Sequence, residues 1–265
     1  MDRPIALMTD FGLRDPYVGV MKGVILGVNP SAVIVDLCHE IAPGDVHGAS
    51  FSLAAALPYF PQETIFVVVV DPSVGTERRA MAAEIAGRII VCPDNGILTW
   101  AVRNHGLDRA VEITNRDFFL PDVSDTFHGR DVFAPVAANL SKGARLDDLG
   151  PAVGDPIAFE VPEVVASDRS IQGEIVYQDR FGNLVSNIPK QQVEDWLRSG
   201  ASVRVHVASG EIYGLSRAYA DVPKGQPTAL FGSVGLLEIA VNGGSGAEFF
   251  AVSIGSKVFI HQLPG

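Results

Sequence analysis

Short apolar runs at residues 5–8, 33–35, 65–70 and 89–91 read as buried strands, and the segments between them repeat their apolar positions with a helical period. The helical segments span 17–28, 46–57 and 98–104 and stop at Asn29-Pro30, Pro58 and His105-Gly106, residue types that end helices. This alternation predicts βαβ units around a mostly parallel sheet covered on both faces. One more helix is expected over 132–140. Pro151, Gly154, Pro156 and Pro162 then punctuate a stretch that reads as a linker. Beyond it the pattern changes to strands at 174–177, 203–207, 236–241 and 249–254, joined by glycine-rich turns, with a single helical segment around 191–198. The expected architecture is α/β: a Rossmann-like α/β/α domain over residues 1–158 and a small antiparallel β-barrel over 168–265.

Composition narrows the function. Hydrophobic residues make up 47% of the 265 positions and charged residues 19%, the balance of a folded globular chain. Twenty Lys and Arg against 31 Asp and Glu give a net charge of −11, which repels nucleic-acid backbones and anionic membranes unless basic residues cluster. Only Arg78 and Arg79 are adjacent, in a turn-like segment, so a small-molecule ligand is expected and neither nucleic acid nor membrane. No apolar run approaches the length of a membrane span, and Asp10 interrupts the first run too early for a secretory segment, so a cytoplasmic protein is expected. Cys38 and Cys92 lie in or beside strand-like runs and are expected to be free thiols.

Each strand run ends at or near a carboxylate: Asp10, Asp36, Asp71 and Asp94. Ligands of open parallel sheets bind outside the carboxyl ends of the strands, where these acids are expected. Any one of them is equally a loop acid or helix cap, and Asp36, with nothing further to recommend it, is read that way. The turn after Asp71 is rich in Pro and Gly and can fold Arg78 back on it, either to tie the loop down or to build a site. His128 stands beside Gly129 just before a helix, as a packing residue or a catalytic one, with Arg130 and Asp131 expected to start and solvate that helix. Further on, Phe181 and Asn183 share one turn and Tyr219 follows, a combination that suits a purine as well as an ordinary turn with one core aromatic. His-Glu-x-x-His, paired cysteines at zinc spacing, a phosphate loop and a dinucleotide fingerprint are all absent from the sequence, so no metal or cofactor is expected. Ser73 is read as a turn residue.

Together these segments resemble the S-adenosylmethionine hydroxide adenosyltransferase family, relatives of the fluorinase and chlorinase. The resemblance rests on Thr9-Asp10-Phe11-Gly12, the stretch 71–78, Pro93-Asp94-Asn95-Gly96, the stretch 127–131, Asp179 to Asn183 ahead of Ser186-Asn187-Ile188, and 238–245. It implies hydrolysis of S-adenosyl-L-methionine to adenosine and methionine by an N-terminal α/β domain and a C-terminal β-barrel, the alternatives being a halogenase acting on S-adenosylmethionine at the same carbon and a non-catalytic protein that binds adenosine or S-adenosylmethionine. It further implies a homotrimer whose sites lie between subunits. By the same resemblance Asp10 would hold the ribose hydroxyls, Phe181 and Tyr219 would sandwich adenine, Asn183 would read its edge, and Asp179 would take the methionine ammonium. Asn242 and Ser245 lie where the family binds the methionine end. Asp71, Arg78 and His128 match the water-binding trio of the hydrolytic members, where the halogenases carry tyrosines in place of Asp71 and His128. Either Asp71 or His128 would accept the proton of the attacking water.

Overall fold

The computed structural model describes residues 3–197 and 202–263. The chain divides into two compact units between Phe159 and Glu160. The first is built on six strands: β1 (Ile5–Thr9), β2 (Ile34–Cys38), β3 (Ile65–Val69), β4 (Ala80–Ile85), β5 (Arg88–Pro93) and β6 (Arg109–Glu112), in the order β2-β1-β3-β5-β4-β6. Strands β2, β1, β3 and β5 are parallel neighbours, while β4 runs antiparallel to both β5 and β6. The helices are α1 (Tyr17–Val28), α2 (Val46–Ala56), α3 (Thr99–His105) and α4 (Ala134–Ser141).

Both faces of the central strands are covered, as continuous apolar runs require. Ile5, Leu7, Ile65 and Val67 pack with Met21 and Ile25 of α1 and with Val136 and Leu140 of α4. Their alternates Ala6, Met8, Phe66 and Val68 are no more than 1% exposed, and Phe66 meets Phe60 just beyond α2. Each such large side chain, once buried, contributes roughly 1.5–3 kcal/mol.

Several expectations need correction in this unit. Pro58 does not stop α2 outright, because a 3-10 turn, Leu57–Tyr59, continues from it. Strand β2 is a sheet edge with exposed Val35 and Asp36, so Asp36 lies within the strand and not at its end. It is also no free loop acid, since it accepts from Lys22 at 2.6 Å and lies 3.0 Å from the ring of His39. The helix expected over 132–140 is preceded by a π-helical turn, Gly129–Phe133. Asp131 in that turn is completely buried, holding Arg130 and the Ser124 amide, so it braces the segment and does not solvate it. The proline-rich stretch after 150 is no loose linker. Ala152 bridges to Val111, and the amides of Ile157 and Phe159 bond Asp94 and Thr99.

The second unit is antiparallel β: β7 (Val165–Ala166), β8 (Ser170–Gln178), β9 (Leu184–Pro189), β10 (Ser202–Val207), β11 (Gly210–Tyr213), β12 (Pro227–Phe231), β13 (Leu236–Val241) and β14 (Lys257–Leu263). The order is β11-β10-β14-β8-β9-β13-β12, with β7 on β8. The two ends curl towards each other, and Ser216 just beyond β11 bonds Ala229 of β12, so the sheet nearly closes into a barrel. Helix α5 (Lys190–Trp196) occupies most of the expected 191–198 segment, whose Arg198 lies outside the described residues. The strand expected over 249–254 is instead the end of helix α6 (Gly246–Phe250) and a turn. Ser245 accepts the Glu248 amide as N-cap, and Ala251 closes the helix in the left-handed region at φ 51°.

Candidate active site

In the first unit a cavity of about 340 Å³ opens at the carboxyl ends of β1 and β3, lined in part by Asp10, Asp71, Thr126 and His128. Asp10 follows β1, and its Oδ2 accepts the Gly44 amide at 2.8 Å. Among the described residues its Oδ1 is unengaged. One wall is aromatic: Phe11, Tyr17 and Phe127 meet edge to face with centroids 5.3–5.9 Å apart.

Asp71 emerges just beyond β3, where the Asn95 amide holds the carbonyl of Val70 at 2.9 Å. The turn that follows brings Arg78 back: its Nε lies 3.0 Å and its Nη2 2.5 Å from Asp71 Oδ2. Both side chains are withdrawn from solvent, at 7% and 4% exposure. Gly75 makes this packing possible, since at φ 79° a Cβ there would lie 2.3 Å from the carbonyl oxygen of Asp125. The 71–78 turn thereby sits directly against the segment that carries His128.

Arg78 Nη2 also lies 2.8 Å from His128 Nδ1. A guanidinium only donates, so Nδ1 is the acceptor, and the hydrogen-bond network assigns the ring proton to Nε2. Burial first, and then the positive charge of Arg78, hold the imidazole below its ordinary pKa. Arg78 does not line the cavity. It stands behind Asp71 and His128, stacked at 5.3 Å over Phe133.

Asp94 takes no part in this arrangement. Only 2% exposed, it accepts from Arg79 and the Ile157 amide and fastens the end of the unit. Cys92 beside it is buried and Cys38 half-buried, both free thiols, and burial pushes the Cys92 thiol up. Among the described residues no group of three or more His, Cys, Asp or Glu is arranged to hold a metal ion. Among them, too, no helix is long and apolar enough to cross a membrane.

The second unit carries its own cavity, of about 620 Å³, lined by Asp179, Phe181, Asn183, Tyr219, Val241 and the Gly243-Gly244 pair. Asp179 organises its turn: Oδ1 accepts the amides of Phe181 and Asn183 at 2.8 and 2.9 Å, and Oδ2 accepts Asn183 Nδ2 at 2.8 Å. This leaves Asn183 Oδ1 as the open end of its amide, an acceptor. Phe181 is 77% exposed and turns its ring to the cavity rather than to the core. Tyr219 is anchored by its hydroxyl, which donates to Glu238 Oε1 at 2.5 Å. Burial, then the neighbouring Asp179, raise the Glu238 pKa although the phenol hydrogen bond opposes them.

Asn242 and Ser245 stand beside this cavity without lining it. Asn242 Nδ2 holds the Val222 carbonyl at 2.7 Å, and Ser245 caps α6 while packing against Gly182. Sequence reasoning missed Glu238 as the anchor of Tyr219 and the aromatic wall of Phe11, Tyr17 and Phe127. Glu238, Phe11 and Phe127 fall within the motifs quoted above, whereas Tyr17 stands out only as the start of the first expected helix.

Residues 5–150 match the SAM hydroxide adenosyltransferase N-terminal domain, and residues 173–259 match the C-terminal domain of the same family. The chain belongs to that family. It is 38% identical, over 96% of its own length and 96% of the other, to the (R)-S-adenosyl-L-methionine hydrolase of Salinispora arenicola. A fluorinase from Nocardia brasiliensis is more distant, 29% identical over 97% of this chain and 96% of that one. In structure the family member superposes on an uncharacterized conserved protein from Thermotoga maritima with a TM-score of 0.90, at 38% identity and covering 97% of this chain and 99% of that one.

Proposed function

We infer that this protein hydrolyses S-adenosyl-L-methionine to adenosine and L-methionine. The observation that carries the reading is the Asp71–Arg78–His128 cluster at a cavity that also holds Asp10, in a chain that is 38% identical over 96% of its length to a relative named as a hydrolase. That relative is named for the R configuration at sulfur, and we extend this to the substrate here.

Water attacks the ribose C5′, the C5′–S bond breaks, and methionine leaves with the electron pair as a neutral thioether. The leaving group needs no proton, so the only proton to place is the one lost by the water. Asp71 accepts it. His128 cannot be that base while its Nδ1 accepts from Arg78 and its Nε2 carries hydrogen; its role is to donate from Nε2 to the water oxygen and align it. Arg78 orients both. A halide would meet a carboxylate at this position, which disfavours the halogenase alternative.

Asp10 holds the ribose hydroxyls through its open Oδ1. Phe181 and Tyr219 enclose adenine, Asn183 Oδ1 accepts from its exocyclic amine, and Asp179 faces the methionine ammonium, with Asn242 and Ser245 near the methionine end. The reaction requires no cofactor. The family resemblance further supports a cytoplasmic homotrimer in which the two halves of each site come from neighbouring subunits. Incubating the purified protein with each sulfur epimer of S-adenosylmethionine and separating the products by chromatography tests the reading. Adenosine and methionine in equal amounts from the R epimer support it; tight binding without turnover would make the protein a nucleoside or S-adenosylmethionine sensor.

A further inference from the structure

Behind the first cavity lies a buried polar constellation that the reaction as described does not use. His39 follows β2 and is 4% exposed. Its Nδ1 lies 2.9 Å from Thr9 Oγ1 and its Nε2 3.0 Å from Asp36 Oδ1. Thr9 has no exposed surface, and its Oγ1 already accepts the Phe11 amide at 3.2 Å. Donors and acceptors fix the direction. The Asp36 carboxylate only accepts, so Nε2 carries the hydrogen, and the fully buried Thr9 hydroxyl finds its acceptor in Nδ1.

Carboxylate, imidazole and hydroxyl in this order make up a hydrolase triad, but Thr9 cannot reach a substrate. Its place in the chain gives it a different use. Thr9 is the last residue of β1, immediately before Asp10 and Phe11, and the carbonyl of His39 accepts the Gly12 amide at 2.7 Å. Both ends of the turn 9–12 are therefore tied to His39. Lys22 of α1 completes the chain of contacts on the far side of Asp36 at 2.6 Å.

We propose that His39 is a positioning residue which, through Thr9 and Asp36, fixes the turn 9–12 so that the Asp10 carboxylate and the Phe11 ring stand at the cavity before substrate arrives. This rests on the reading of Asp10 as the ribose-binding group. As a group that holds the ribose hydroxyls and not the reacting C5′ or the attacking water, Asp10 is expected, when loosened, to raise KM and spare kcat.

The test compares Thr9→Val, which keeps the shape and removes the hydroxyl, with Thr9→Ser, which keeps the hydroxyl. Thr9→Val is expected to raise KM for S-adenosylmethionine about 10-fold or more with kcat within about 2-fold, and Thr9→Ser to restore the wild-type KM. Ring nitrogen-15 spectra of His39 are expected to show Nε2 protonated and Nδ1 unprotonated, with the Nδ1 signal moving in Thr9→Val. Wild-type KM in folded Thr9→Val, or a ring protonated at Nδ1, would overturn the proposal. A wild-type enzyme inert towards S-adenosylmethionine would instead overturn the substrate reading. The direction of the hydrogen bonds from Thr9 through His39 to Asp36, on which the positioning role depends, would still be decided by the His39 spectra, which need no turnover.

Discussion

Arg78 Nη2 lies 2.8 Å from His128 Nδ1 while the same nitrogen grips Asp71 Oδ2. A single guanidinium therefore makes the two polar groups beside the cavity unequal, one an acceptor and the other an Nε2–H donor. Replacing them separates the roles. Asp71→Asn is expected to lower kcat about 10²–10⁴-fold, the ordinary worth of a positioned general base. His128→Asn, which keeps an acceptor for Arg78, is expected to lower it about 10-fold, the worth of one hydrogen bond. Steady-state kinetics of the two variants checks this, and a larger loss in His128→Asn than in Asp71→Asn would reverse the assignment.

The same contact sets the acid side of the pH profile. Protonating His128 places an N–H at Nδ1 against the Arg78 guanidinium, and burial together with that charge keeps the imidazole below its ordinary value of 6.5. The working neutral ring is thus retained at neutral pH, and kcat/KM falls only as the pH drops below 6.5 through the lowered value. The part of the limb set by the imidazole is expected to be lost in His128→Asn, while the requirement for an ionised Asp71 remains. A limb centred above 6.5 would contradict this account of the ring.

Arg78 also matters for stability. Arg78→Ala leaves the Asp71 side chain, 4% exposed, as a buried charge without its partner. The expected cost is about 3–5 kcal/mol, read from urea unfolding. Arg78→Lys is expected to recover only part of it, because an ammonium cannot reproduce the paired geometry of the guanidinium.

Phe181 is the converse case. At 77% exposure it contributes little to the fold, so Phe181→Ala is expected to leave the unfolding midpoint unchanged. Losing one stacked base contact of about 1–3 kcal/mol should raise KM roughly 10-fold or more, with kcat preserved. Titration calorimetry with adenosine checks the binding loss directly.

The strands that read clearly in the sequence are those with unbroken β-branched runs, such as β3, Ile65–Val69. Strand β4, Ala80–Ile85, escaped because Ala-Met-Ala-Ala-Glu-Ile carries neither β-branching until its last residue nor a clean alternation. Phe249 to Ile254 misled in the opposite sense. The aromatic and β-branched residues suggest a strand, while Ser245 with Glu248 three residues later is a helix-start pattern, and the cap decided the outcome.

The approach of Arg78 to Asp71 was legible because only seven positions and a flexible turn separate them. Its contact with His128, 50 positions away, depends on Gly75 and the π-helical turn and has no local signature. The roles proposed for Asp10 and Asp179 rest on family resemblance and not on spacing, whereas Asn183 beside Phe181 already suits a purine from the residues themselves. The link from Thr9 to His39 spans 30 positions and was invisible for the same reason.

The most direct test of the central claim is turnover in water enriched in oxygen-18 with chloride present, followed by mass analysis of the nucleoside and the amino acid. Attack by water at C5′ predicts adenosine carrying one heavy oxygen and unlabelled methionine. Chlorinated adenosine, or adenosine without the heavy oxygen, would contradict it.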